Sequence, residues 1–405
     1  MSNGKSVVLR GPALSVSGYG THCRQIAKWL LRDAAERYGL DVTVQPLPWG
    51  TTHFLLDPDL EDGLIGQILQ ASGNQKPFYD VSVQVQLPNE WDAFLAGFNI
   101  GVTAGVETET CNPAWITAIN NMDLVVVPSE FTKQTFINTG NVKTPIVVIP
   151  ESFPEAYETA TPDALEGLDR VETAFNFLIV GQLTGNGVEN DRKNIPYTMK
   201  WLAETFAGNK DVGVIIKTNS GANTELDKQH VRSVFAKLVS EVQGLDTGAR
   251  GPTFYLLHGH MTDAEMLGLY KHPKVKALVA LTHGEGYGLP ILEASACGLP
   301  VIATNWSGHL DFLRHGKFLS VDKTIGEVHP SRVDGQIFMQ GAKWAYPIEQ
   351  DAKRRLKKFY EAPVTPAQWA KDLSRAVRQK YSFATICDIY NDKLGVHLTS
   401  SSAPT

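Results

Sequence analysis

Residues 283–311 read HGEGYGLPILEASACGLPVIATNWSGHLD. An apolar run, Ala277 to Leu281, leads into a loop that carries Gly284, Gly286 and Gly288. Pro290 follows where the first turn of a helix tolerates it, since a proline there gives up only an N–H that has no intrahelical partner. Ile291 to Ala296 reads as a short helix closed by Gly298, and Leu299 to Ala303 as the next strand. Strand, glycine loop, helix and strand form a unit that brings backbone N–H groups and a helix N-terminus up to a bound phosphate. Glu285 lies in the loop and Glu293 on the helix. A carboxylate is a poor partner for phosphate but a good acceptor from hydroxyls. Glu285 is therefore expected to hold the hydroxyls of a sugar lying over the helix end, and Glu293 those of a ribose. The phosphates fall to the glycines and to nearby cations.

The two glutamates make an E-x7-E pattern inside GEGYGLPILEASACGLPVIAT. This pattern resembles the donor-site signature of the family 4 (group 1) retaining glycosyltransferases, which have the GT-B fold. The resemblance implies an α/β chain of two Rossmann-like domains facing a deep interdomain cleft, with a C-terminal helix crossing back to the first domain. The expected division is 1–170 for the acceptor-side domain, 171–380 for the nucleotide-sugar donor domain and 381–405 for the crossing helix and tail. The implied activity moves a sugar, most simply a hexose, from a UDP-, GDP- or ADP-sugar to an acceptor hydroxyl. The anomeric configuration is retained, and attack from the front face is assisted by the leaving diphosphate. No metal and no further cofactor are required in that scheme.

The totals set outer bounds. A length of 405 residues suggests roughly two to three domains. With 43% hydrophobic and 20% charged residues, the chain reads as globular with ample core. A net charge of −6 offers no general attraction to nucleic acid or to an anionic membrane. Cys23, Cys111, Cys297 and Cys387 are scattered, which suits free thiols in a reducing compartment better than a disulfide frame or a zinc site. The opening MSNGKSVVLRG runs straight into a strand without the apolar core of a signal peptide, and no run nears 18 apolar residues. A cytoplasmic location without a transmembrane segment is the expectation; oligomeric state is left open.

The first half opens with a strand at Ser6 to Leu9, a loop GPALSVSGYG at 11–20, and a helix from Thr21 to about Tyr38 with Ile26, Trp29, Leu30 and Ala34 on one face. The loop resembles the family's SGxGxxxxxL start, which implies that Gly18 and Gly20 lie near the donor phosphates. Further strands are predicted at 42–45, 81–87, 99–104, 124–127 and 146–149. Some acceptor contacts are expected within 46–79. The family commonly places a His or Glu at the end of the fourth strand, near the reacting sugar; Glu107 takes that role here, with Glu90 as the alternative. Residues 123–131, DLVVVPSEF, resemble a structural family motif in which Ser129 caps a helix. The family's usual HGVD after the last strand is replaced by Glu151-Ser152-Phe153-Pro154.

Residues 151–172 are acidic and aperiodic, as an interdomain linker would be. Apolar strands then alternate with helices, at 177–180, 212–216, 254–257, 277–281, 301–303 and 317–321, which argues for a second parallel sheet covered on both faces. Gly181-Gln182-Leu183 and then Arg192-Lys193-Asn194 resemble the family's second donor motif. Many members carry an Arg after that glycine; Gln182 stands there, so the diphosphate falls to Arg192 and Lys193. The resemblance assigns Glu285, Lys193, Arg192 and Glu107 to the reacting end. It assigns Gly18, Gly20, Glu293, Gly286, Tyr287, Gly288, Leu289 and His283 to donor binding. His258 and His260 read as loop histidines, and Ser307-Gly308-His309 with Asp311 as a structural turn. Lys353 to Lys358 (KRRLKK) reads as a solvated helix face, with contact to an anionic acceptor as the alternative. Two helices, 365–380 and 383–394, and a disordered tail from His397 close the chain.

Three other readings stay open at this level: a nucleotide-sugar binding module without turnover, an inverting GT-B enzyme such as an epimerase, and the same transfer made onto a hydroxymethylated base in viral DNA. A glycan, a lipid and a small molecule are all admissible acceptors.

Overall fold

All seven residues of VGVIIKT, 212–218, are buried. A strand apolar on both faces needs helices on both sides of its sheet, and the sheet must then be parallel. The computed structural model, which describes residues 4–50, 52–163, 165–183, 187–219, 221–243 and 251–399, contains two such sheets. The chain divides into two units: Met1–Ser152 with Phe383–Thr405, and Phe153–Ser382. Residues 153–170 thus go with the second unit.

The first unit is built on β1 (Ser6–Gly11), β2 (Asp41–Pro46), β3 (Tyr79–Val85), β4 (Ala96–Val102), β5 (Leu124–Val127) and β6 (Ile146–Val148), in the order β2-β1-β3-β4-β5-β6. All neighbours are parallel. The helices between them are α1 (Gly18–Trp29), α2 (Ala35–Tyr38), α3 (Leu64–Ala71), α4 (Pro113–Asn120) and α5 (Glu130–Thr139). The long helix expected from Thr21 starts three residues sooner, because the Ser17 side chain accepts from the Gly20 N–H and caps it. It also carries a π-helical turn at Leu30–Ala34 before α2. Ser129 caps α5 by accepting from Thr132 N at 3.1 Å.

The second unit opens with α6 (Ala156–Thr159) and α7 (Glu166–Asp169), where a linker was expected. The segment is held down: Tyr157, Leu168 and Val171 are buried, and Lys274 Nζ donates to the carbonyls of Leu168 and Val171. Then come β7 (Phe175–Val180), α8 (Ile195–Thr205), β8 (Val212–Thr218), α9 (Glu225–Gln243), β9 (Thr253–His258), α10 (Asp263–Lys271), β10 (Val275–Ala280), α11 (Leu289–Ala296), β11 (Val301–Thr304), α12 (Leu310–Leu313) and β12 (Leu319–Val321). The sheet order is β12-β11-β10-β7-β8-β9, again parallel. Phe177, Leu202, Val214, Ile216, Leu356 and Phe359 anchor its core.

An antiparallel hairpin, β13 (Lys323–Glu327) and β14 (Lys343–Pro347), follows; the sequence reading did not anticipate it. Next are α13 (Glu349–Glu361) and α14 (Val364–Tyr381). The last helix, α15 (Phe383–Leu398), belongs to the first unit, where Tyr390 stacks on Trp29 at 4.7 Å and Asn391 accepts from the Trp29 indole at 3.1 Å. His397, expected in a disordered tail, lies inside α15 and stacks on Phe98; residues 400–405 lie outside the described residues.

In both sheets the winding reverses beside the first strand of the unit, between β1 and β3 and between β7 and β10. Ligands of open parallel sheets bind beyond the carboxyl ends of the strands at such reversals. In the second unit the connecting segments there are 181–183 with 187–194, and 281–288.

Candidate functional site

The loop after β7 ends in the turn Asp191-Arg192-Lys193-Asn194. Asp191 is buried and shapes it: its carboxylate accepts from Ile195 N at 2.7 Å and Lys193 N at 3.0 Å. Asn194 adopts the left-handed conformation (φ 54°) and donates to Leu281 O at 3.0 Å, tying the turn to the end of β10. His283 N donates to Arg192 O at 3.0 Å as a second tie. The Lys193 side chain is thereby delivered to Glu285, with Nζ 2.7 and 2.8 Å from the two carboxylate oxygens; Arg192 Nη1 lies 3.5 Å from one of them. Gln182 is exposed.

Glu285 is buried. Burial pushes its pKa up, but Lys193 and Arg192 overcome that and hold the carboxyl below its ordinary value. The trio of two cations and one anion keeps one net positive charge. It sits at the mouth of α11, whose first turn adds the positive end of the helix dipole. A small cavity bounded by Lys193, Thr282, Glu285 and Pro290 opens there.

The loop that carries Glu285 is pinned from below. Glu285 N donates to Ser307 Oγ at 2.8 Å, and Gly308 N donates to Glu285 O at 2.9 Å. Ser307 holds a strained φ of 80° to make this contact. His309 Nε2 donates to Thr304 O at 2.8 Å, and burial keeps its ring neutral. Gly288 has φ 99°, and a Cβ there would lie 3.1 Å from His309 Cβ. Tyr287 is buried edge-on against Phe312.

His283 is buried and stacks on Trp344 of the hairpin at 4.5 Å. Its Nδ1 donates to Ala345 O at 2.7 Å. Burial lowers its pKa to about 4, so the ring is neutral at pH 7 and carries its lone pair on Nε2.

Glu293 has different neighbours. Tyr270 Oη donates to it at 3.0 Å, and Tyr157 also hydrogen-bonds it. Burial raises its pKa from 4.5 to about 8, further helped by Asp263. The two glutamates of one motif thus differ in charge: Glu285 is an ionised partner of cations, and Glu293 is poised between acid and carboxylate near neutral pH.

In the first unit Gly18 begins α1 with open space where a Cβ would stand. Gly20 is different, since a Cβ there would lie 1.9 Å from Ser15 O. Between them Tyr19 stacks on Trp49 at 4.4 Å and is held by Thr103 Oγ1 at 2.8 Å and Ala104 N at 3.2 Å. Burial raises the Tyr19 pKa, and the charges of Glu107 and Glu151 add to that, which places Glu107 beside this platform. Glu90 is exposed, and its carboxylate accepts from Leu87 N at 3.1 Å.

The sequence reading missed Asp191, Trp344, Tyr270 and Tyr157, and named Asn194 only as part of the donor motif. Asp191 was the most accessible, as an acidic residue four before the first residue of a proline-led helix. Nothing in residues 323–347 signalled that Trp344 would reach His283. In the basic run, Lys353 pairs with Glu204 and Glu349, and Arg354 and Arg355 pair with Asp351. Among the described residues, no group of three or more His, Cys, Asp or Glu side chains is placed to hold a metal ion. Among the described residues, no helix is long and apolar enough to cross a membrane.

The family model described as "Glycosyl transferases group 1" matches residues 255–329, the segment that holds Glu285 and Glu293. N-acetyl-alpha-D-glucosaminyl L-malate synthase from Bacillus anthracis is 25% identical over 249 residues, 58% of this chain and 58% of that protein. Anabaena HepE, solved in complex with UDP and glucose, superposes with a TM-score of 0.61 at 14% identity, covering 97% of this chain and 100% of that one. Sucrose-phosphate synthase from Thermosynechococcus elongatus matches with a TM-score of 0.61 at 15% identity over the same shares, 97% and 100%. At these identities the likeness speaks for the architecture. The chain has the GT-B fold of these glycosyltransferases and carries the group 1 glycosyltransferase signature over residues 255–329.

Proposed function

We propose that this chain is a retaining glycosyltransferase that moves a hexose from a nucleotide diphosphate sugar to an acceptor hydroxyl. The observation that carries this is the Lys193–Arg192–Glu285 cluster at the mouth of α11, with Glu293 further along the same helix. As the bond from C1 to the diphosphate oxygen breaks, negative charge grows on the leaving group. Lys193, Arg192 and the N-terminus of α11 are aimed at that charge. Each charge-assisted hydrogen bond is worth roughly 1.5–3 kcal/mol. The acceptor oxygen bonds to C1 on the same face, and its proton passes to the departing diphosphate.

Glu285, ionised and oriented by Lys193, offers its remaining lone pairs to the sugar hydroxyls. Glu293 holds the ribose diol. Gly286, Gly288 and Leu289 offer backbone to the donor, and His283 is neutral there and contributes shape and a hydrogen-bond acceptor. Glu107 is the acid group assigned to the reacting sugar, because Glu90 is committed to its own turn. Gly18 and Gly20 complete the donor-binding set.

Complexes of the structural relatives with UDP favour a UDP-sugar among the three donor classes. The Bacillus anthracis relative is named for a glucosaminyl malate product, which favours a small-molecule acceptor over a polymer. Three of the five cations in Lys353 to Lys358, namely Lys353, Arg354 and Arg355, are paired with carboxylates, which weighs against viral DNA as the acceptor.

The test is nucleotide release from UDP-, GDP- and ADP-hexoses with no acceptor added. One donor is expected to be hydrolysed slowly, and Lys193→Ala is expected to slow that release by about a hundredfold or more. Binding of a donor without release would favour the non-catalytic binding module. Release and binding of none would overturn the proposal.

A further inference from the structure

The strand β13 is largely exposed, and a two-stranded hairpin alone is marginal in water. What holds this hairpin down is β14. Trp344 is fully buried, and Phe338, from the segment that joins the strands, meets its ring edge-on at 5.5 Å. Arg332 lies over the Phe338 ring at 4.1 Å. Its neighbour Ser331 donates from Oγ to Asn190 Oδ1 at 2.8 Å, which ties the hairpin to the segment 187–194 that carries Arg192 and Lys193.

A second tie is made at Ala345, which pairs with Ile325 in the hairpin register. Its N–H donates to His283 O at 3.1 Å, and its C=O accepts from His283 Nδ1 at 2.7 Å. These are the groups that an edge strand leaves open, and one histidine satisfies both. The carbonyl can only accept, so Nδ1 carries the proton of the neutral ring. That ring lies on the face of Trp344, with centroids 4.5 Å apart and planes 10° from parallel, and Tyr346 meets it edge-on at 4.9 Å. The backbone of His283 is tied in turn to Arg192 O at 3.0 Å, and Glu285 follows two residues later.

We propose that Trp344 is a positioning residue for the donor loop: it clamps the His283 ring against β14, and with it the backbone that brings Glu285 to Lys193. This rests on the donor-site reading above. Ser307 and Gly308 anchor the loop from below, and Arg192 anchors it from the side. The hairpin supplies the remaining side. Without the stack, Glu285 keeps its charge and its cations but loses part of its aim. In the donor-site reading the diphosphate is held by the cations and the mouth of α11, whereas Glu285 holds the sugar at the reacting carbon. A loosened loop therefore costs turnover more than diphosphate binding.

The experiment compares Trp344→Leu, which keeps apolar bulk and removes the flat ring, with Trp344→Phe, which keeps a ring. Nucleotide release is measured on the full chain with whichever of the UDP-, GDP- and ADP-hexoses wild type turns over, and calorimetry gives the affinity for the matching diphosphate. Trp344→Leu is expected to slow release at saturating donor by about tenfold and to change diphosphate affinity by less than about twofold. Trp344→Phe should restore most of the rate. Added to His283→Ala, the leucine change should cost nothing further, because the two residues act as a unit. Hydrogen exchange on the nucleotide-free chain gives an independent reading: the His283 and Glu285 amides should exchange about tenfold faster in Trp344→Leu, and those of β8 at the wild-type rate. Unchanged turnover in Trp344→Leu would overturn the inference. So would equal losses of turnover and diphosphate affinity, or faster exchange throughout the second unit, either of which would make Trp344 an ordinary core residue. Wild type that releases no nucleotide would bring down the donor-site reading; the exchange of the His283 and Glu285 amides, which needs no nucleotide, would still decide whether Trp344 holds the loop.

Discussion

Lys193 stands 2.7 Å from Glu285, while Glu293, one short helix further on, is enclosed by Tyr270 and Tyr157. Their spacing is a feature of the sequence, but their charges come from the surroundings, and the difference can be measured. The Glu293 carboxyl has a folded pKa of about 8 against an ordinary 4.5. Between those values the folded chain binds more protons than the unfolded one, so this group makes stability fall as pH rises through the window. Glutamine is neutral throughout and removes that slope. Glu293→Gln is therefore expected to melt near wild type at pH 4 and progressively above it from pH 5 to 8, after which the gap stays constant. A difference between the two melting curves that does not vary with pH would show that Glu293 is ionised normally. Glu285→Gln should behave in the opposite sense, because its carboxylate is stabilised by two cations.

At the scale of elements, the glycine loop is held by contacts that a single methyl group would disturb. Gly288 combines φ 99° with a virtual Cβ 3.1 Å from His309 and 3.4 Å from Ile291. Gly288→Ala is expected to cost about 1–3 kcal/mol from the backbone conformation alone. Turnover should fall as well, since α11 starts at the next residue. Gly18→Ala, where nothing lies within 4 Å, is the control and should stay within about 0.5 kcal/mol of wild type. Thermal melts of the two variants decide this, and equal losses would mean that the Gly288 loop can give way. Much of this architecture was legible, because runs such as 177–180 (FLIV) and 212–216 (VGVII) carry no polar side chain and read as central strands. The hairpin was not. KTIGE and KWAYP mix charges with aromatic residues, and the second of them packs on His283, about sixty residues upstream in the chain. Residues 151–172 misled through their acidity, because the buried apolar side chains Phe153, Tyr157, Leu168 and Val171 outweigh it.

On the scale of the whole chain, the two units differ in how they are made. Phe153–Ser382 is one continuous segment with its own six-stranded sheet and core, from Phe177 to Phe359. The other unit is discontinuous and depends on α15 for part of its packing. Trp29 is buried, stacked on Tyr390 and hydrogen-bonded to Asn391, and His22 lies 3.4 Å from the Tyr390 hydroxyl. The stacking contributes about 0.5–1.5 kcal/mol beyond the apolar area it covers, and its loss would leave an apolar stripe of α1 facing water. A fragment of residues 153–382 is thus expected to fold alone, with a cooperative melt and nucleotide binding within about tenfold of the full chain, because Arg192, Lys193, Glu285 and Glu293 all lie inside it. A fragment of residues 1–152 should aggregate or melt without cooperativity, and a peptide of residues 383–405 added in trans should restore order. Circular dichroism melts of the two fragments, with and without the peptide, test the division. If 1–152 folded fully on its own, α15 would be an accessory to the first unit instead of part of its core. If 153–382 failed to fold, the second unit would depend on residues outside its own segment.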